Sequence, residues 1–168
     1  MACDLTSGRA WQCNEQIGGI KAVYFANYGG LTGATVTNGA IANTGAISLY
    51  KYALEEYTGN LSEAITVGEG TGTLFFEQTL TLQLTKLQAS DVDEMKLLAV
   101  GRPHVIVQDN NDNYLLLGKD KGVRLTAGTK HTGTAGNELS GYNLTFTGRE
   151  KESAPFFTSI SEATIVTS

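Results

Sequence analysis

The chain has 168 residues, 41% of them hydrophobic and 17% charged, with 17 acidic groups against 12 basic ones. That is too apolar for a disordered acidic chain, and a net charge of −5 lacks the cationic surplus of a nucleic-acid reader. No apolar run approaches the roughly 18 residues of a membrane span, and the opening Met1-Ala2-Cys3-Asp4 carries an early acid, so neither a membrane helix nor a signal peptide is expected.

The length fits one domain, 1–168, and the 20 Gly and 21 Thr against two Pro lean towards strands joined by tight turns. Residues 1–17 hold Cys3, Cys13 and the single Trp11, and read as an N-terminal arm. The two cysteines are too few for a disulfide scaffold and read as free thiols. Residues 20–28 alternate Ile20, Ala22, Tyr24 and Ala26 with Lys21, Val23, Phe25 and Asn27, which is a strand. Residues 31–45 promise short strands around Asn38-Gly39, the best two-residue turn signal in the chain.

Residues 48–56 read as a strand, with 61–67 as its hairpin partner. The Gly-rich run 68–72 reads as a mobile loop. Residues 73–86 carry the strongest signal: Leu74, Phe76, Leu80, Leu82 and Leu84 share one face, interrupted only by Gln78, with polar residues and Phe75 opposite. One helix follows over about 90–100, with Ser90 as N-cap, Asp91, Asp93 and Glu94 in the first turn, and a stripe of Val92, Met95, Leu98 and Ala99. Segments 104–108 and 114–118 form a hairpin over the turn Asp109-Asn110-Asn111-Asp112-Asn113. Segments 123–130 and 139–149 complete the sheet, and 150–168 reads as a C-terminal arm.

No arrangement supports an enzyme. There is no Gly-x-Ser-x-Gly elbow, and His104 and His131 stand apart from any nucleophile. The 109–113 run imitates a calcium loop, but Tyr114 occupies the sixth position, where Gly is required. Residues 68–72 lack both the Lys and the following helix of a phosphate cradle. No catalytic residue, metal or cofactor is expected.

The order of elements says more. The long amphipathic strand, the capped helix, the Asn-rich hairpin and the closing Tyr142-Asn143-Leu144-Thr145-Phe146-Thr147 resemble a phage tail-tube protein over roughly residues 20–150. Cys3-Asp4-Leu5-Thr6, the strand Gly18-Gly19-Ile20-Lys21-Ala22-Val23-Tyr24-Phe25 and Gly101-Arg102-Pro103-His104-Val105 are similar to segments of small phage structural proteins. The resemblance implies a mainly β fold, a β-sandwich or small barrel of antiparallel strands with one flanking helix. It also implies a virion protein made in the host cytoplasm, whose partners are itself in stacked, usually hexameric rings, other virion proteins, and DNA passing through without specific binding. A neck, connector or capsid-decoration subunit shares this topology, and a carbohydrate-binding β-sandwich module is the rival from another class.

On that reading, Tyr50, Tyr52 and Tyr57 within an extended hairpin or loop at 48–72, with Phe156 and Phe157 in the C-terminal arm, are candidate interface residues. Glu55, Glu56 and Glu63 are candidate channel-facing acids: six copies would carry a charge of about −30, screened over about 8 Å at physiological salt.

Overall fold

The alternation in residues 73–85 does build a long strand, and the strands around it divide into two layers. The computed structural model describes residues 4–167. In chain order the elements are β1 (Ile20–Ala26), β2 (Ala40–Asn43), β3 (Ser48–Ala53), β4 (Gly59–Gly68), β5 (Thr73–Thr85), α1 (Asp91–Val100), β6 (His104–Asp109), β7 (Tyr114–Leu117), β8 (Arg124–His131), β9 (Gly141–Glu150), β10 (Phe156–Ser159) and β11 (Thr164–Val166). One sheet has the order β11-β3-β1-β6-β7-β10-β2, the other β4-β5-β9-β8. The fold is therefore mainly β, a sandwich in which one layer curls towards a small barrel, with one helix.

Chain connectivity enforces the curl. In a flat sheet, β10 and β11 would lie five strand spacings apart, about 24 Å, and so would β2 and β3. Each pair is joined by only four residues, 160–163 and 44–47, which span at most about 17 Å. The sheet must roll until its ends approach; β11, reached over that gap, seats beside β3, with the Thr164 N–H donating to the Ile47 carbonyl at 2.8 Å.

Rolling explains why β1 is buried on both faces. Ala22, Tyr24 and Ala26 point into the barrel with Leu31, Ile41, Leu49, Ile106, Leu116, Phe157 and Ile160. Val23 and Phe25 point the other way, into the layer shared with Leu80, Leu82, Val105, Val107, Leu144 and Phe146. A strand buried twice reads as a nearly continuous apolar run, and β6, His-Val-Ile-Val-Gln, does the same.

Three expectations are corrected. β3 does not pair with β4: it lies between β1 and β11, while β4 pairs with β5 in the other sheet. Apolar pairs decide this register, with Leu61 opposite Leu80, Ile65 opposite Phe76 and Val67 opposite Leu74. Gly70 and Gly72, at φ 74° and 66°, turn the β4–β5 hairpin in the run expected as a loop. The segment 150–168 is not an arm, because β10 pairs with β7 and β2, and β11 with β3. Leu74 does not reach the core. Leu80 and Leu82 are fully buried, but β9 ends opposite Phe76, so Leu74 lies beyond the sandwich and is 51% exposed.

The helix forms as expected, but Ser90 makes no side-chain cap and has helical dihedrals itself. Turns at Gln88 and Ala89 lead into it, with Asp91 and Val92 donating back to their carbonyls. Only Leu98 is buried and Met95 packs beside it, whereas Val92, Leu97 and Val100 face outward.

Candidate functional site

The interior polar groups serve the fold. His104 is fully buried, its Nδ1 donating to the Gly118 carbonyl at 2.6 Å and its Nε2 accepting from the Gly29 N–H at 3.1 Å. Those two bonds require the neutral ring, and burial holds its pKa below the usual value, outweighing the Gly118 bond and the charges of Glu150 and Asp120. Gln78, the break in the apolar face of β5, accepts from the Gly118 N–H at 3.0 Å and donates to Glu63 at 3.1 Å. Glu63 also accepts the Ala154 N–H at 2.8 Å and the Ser153 hydroxyl. This chain of bonds ties β4, β5, the loop after β7 and the segment before β10 together.

The Asn-rich turn is likewise internal. Both Asp109 oxygens are occupied, Oδ1 by the Asn111 and Asn113 N–H groups and Oδ2 by the Asn113 side chain. Asn110 and Asn111 reach back to pin Ile17 and Gly18. The N-terminal segment is tied to the body at that point.

The candidate interface residues do not form one patch. Tyr50 and Tyr52 sit on β3, with Tyr52 edge-on to Phe25 at 5.1 Å. Tyr57 lies in the link between the sheets, near Gly19 at the other end of β1. Phe156 is 47% exposed on β10, whereas Phe157 is 5% exposed inside the barrel. Glu55 and Glu56 are exposed in the same link as Tyr57.

What stands open is the four-stranded sheet. Its inner face packs on the barrel. Its outer face is laid with short polar side chains in register: Ser62, Thr79 and Thr147 in one row, Asn60, Thr81 and Thr145 in the next, then Gln83, Asn143 and Thr129. Thr126 joins these rows through Thr145 and Thr147, and the Arg149–Glu77 pair, at 2.6 Å, closes one end. None of Glu55, Glu56 and Glu63 lies on that face.

Among the described residues both edges of this sheet lack a hydrogen-bonded neighbour, since β4 bonds only to β5 and β8 only to β9, although α1 lies against β8. The Gln83 N–H donates to the Thr58 carbonyl, so by antiparallel alternation Asn60, Ser62, Ala64 and Thr66 bond inward to β5. Leu61, Glu63, Ile65 and Val67 therefore aim their backbone groups outward. The same count from the Lys86 N–H to the Ser140 carbonyl leaves Gly128 and Lys130 outward on β8. The β4–β5 hairpin also overhangs the body, exposing Ile65, Val67 and Leu74 on the face that is core elsewhere. The alternation Leu61-x-Glu63-x-Ile65-x-Val67 carries this signal in the sequence; the free edges are visible only once the strands are ordered.

The chain matches no known protein family, no curated protein and no solved structure.

Proposed function

We propose that this chain is a self-assembling ring subunit of the phage tail-tube type, forming a channel through which DNA passes. The observation that carries the reading is the pair of free, oppositely directed edges. Each pairing in β4-β5-β9-β8 is antiparallel, so β4 and β8 run in opposite directions. A second copy set beside the first brings its β4 against β8 as one more antiparallel neighbour, and the order repeats without a break. Such a heterologous contact closes into a ring when the rotation suits. Closure also removes the exposed edges, which are an aggregation liability.

Six copies would contribute twenty-four strands, a circumference of about 115 Å and a backbone diameter of at least about 37 Å. The barrel layers occupy one face, so they lie outside, and the polar face lines the bore. That wall is mainly hydroxyl and amide, with the Arg149–Glu77 pair beside Phe75 and a further cation, Arg124, opposite Thr147, and it replaces the three glutamates as the reason DNA would slide without sticking. Few fixed cations face the phosphates, and counterion release on binding is correspondingly small.

Negative-stain microscopy of the concentrated protein tests this. We expect rings with a central hole, lost in Ile65→Pro, which removes an outward donor and no inward bond. Ile65→Thr, which keeps the donor, should still assemble. A wild type that stays monomeric, or an Ile65→Pro variant that forms the same rings, overturns the reading.

A further inference from the structure

A second surface lies at the end of the barrel away from the Asn-rich turn. A groove of about 290 Å3 opens between α1 and the ends of β1 and β3, walled by Phe25, Tyr28, Tyr50, Tyr52, Leu97 and Pro103. Its walls are set in advance. The Tyr28 ring stacks on His104 at 5.4 Å and its hydroxyl donates to the Asp120 carbonyl, while Tyr52 is locked against Phe25. Leu97, 65% exposed, forms the lip. The volume falls just short of the roughly 300–1,000 Å3 of small-molecule pockets and suits one large side chain presented by a peptide.

The same chain carries such a side chain. Residues 4–16 form no helix or strand and are exposed throughout, and their hydrogen bonds to the body begin only at Ile17. Trp11 is 93% exposed. An extended segment places Arg9, Trp11 and Glu15 on one side. That order, cation, indole, anion, is the complement of the groove, where Glu94 lies near the start of α1 and Arg102 just past its end.

Reach argues for another copy as the source. The arm leaves from the 109–113 turn, and β6 separates that turn from the groove by five residue steps, about 17 Å. Trp11 is six residues from Ile17, at most about 20 Å, so doubling back would hold the arm close to full extension. A copy stacked end to end presents its groove at the arm's exit.

We infer that the groove between α1, β1 and β3 receives the Trp11 arm of a second copy of this chain, joining subunits head to tail along an axis. That this axis is the axis of stacked rings rests on the proposed function; the docking itself does not.

Trp11 is the only Trp, so its fluorescence reports the docking directly. Emission and acrylamide quenching would be followed on the full chain from dilute to concentrated solution, with particle length measured by microscopy. Assembly should shift the emission to the blue and reduce quenching severalfold. Leu97→Glu, at the exposed lip, should abolish both changes and leave single rings. Glu94→Arg should weaken docking, and adding Arg9→Glu to it should restore docking. The inference is overturned if Trp11 stays fully quenchable in assembled protein, if it is already protected in dilute monomer, or if Leu97→Glu changes nothing. Rings with a quenchable Trp11 would sink this inference and spare the ring reading. End-to-end dimers with a protected Trp11 and no rings would do the reverse.

Discussion

His104 shows how a residue type that suggests chemistry serves the fold instead. Its ring bridges the Gly118 carbonyl and the Gly29 N–H, and protonating Nε2 would turn an acceptor towards a donor. Because burial holds the folded pKa below the unfolded value of 6.5, the neutral ring contributes its full stability above pH 6.5. Below that, the unfolded state takes up the proton first, and stability falls by up to about 1.4 kcal/mol per pH unit until the folded pKa is passed. Asp112 and Glu138 are held below the usual carboxylate range, Asp112 by the Lys21 and Gln108 hydrogen bonds and Glu138 by the Thr134 and Ala135 amides. Their contribution is present above their unfolded pKa and is lost only at more acid pH. Stability from denaturation should therefore fall as the pH is lowered from 6.5 towards 5 in the wild type and stay flat in His104→Gln. Equal slopes in both would mean that His104 does not control this window. The adjacent phenylalanines make a parallel case. Phe157→Ala should cost about 3–5 kcal/mol by opening the barrel interior, and Phe156→Ala far less, as chemical denaturation would show.

At the scale of elements, what could be read from the sequence was local. The period-two face of β5, the helix after Ser90 and the Asn-rich turn all depend on neighbours a few residues away. Two short amphipathic strands joined by a link resemble a hairpin, which is why the sequence alone pairs β3 with β4. Only the match of Leu61, Ile65 and Val67 to the apolar face of β5 assigns β4 to the other sheet. The C-terminal strands are hidden in the sequence for a different reason. β10 and β11 make parallel pairs with β2 and β3, more than a hundred residues earlier, and such pairing leaves no local periodicity to read. The groove was equally hidden, because β1, β3, α1 and the residues after it each supply part of its wall. Glu63 joins several of these elements at once. Glu63→Ala should leave the Gln78 amide and the Ala154 N–H without an acceptor, costing about 1–3 kcal/mol, and should make residues 150–155 cleavable in limited proteolysis. Glu63→Gln keeps an acceptor and should be milder.

For the whole molecule, the central claim is that the four-stranded sheet continues from one subunit into the next. Hydrogen exchange on β4 and β8, in dissociated and in assembled protein, tests it most directly, because alternation supplies an internal control. The amides of Asn60, Ser62 and Ala64 bond inward and should be slow in both states. Those of Leu61, Ile65 and Val67, with Gly128 and Lys130, should exchange quickly in the free subunit and slowly in the ring. A period-two pattern of newly gained protection on both edges is the expected result. Assembled protein in which the outward amides exchange as fast as in the free subunit would contradict edge-to-edge closure.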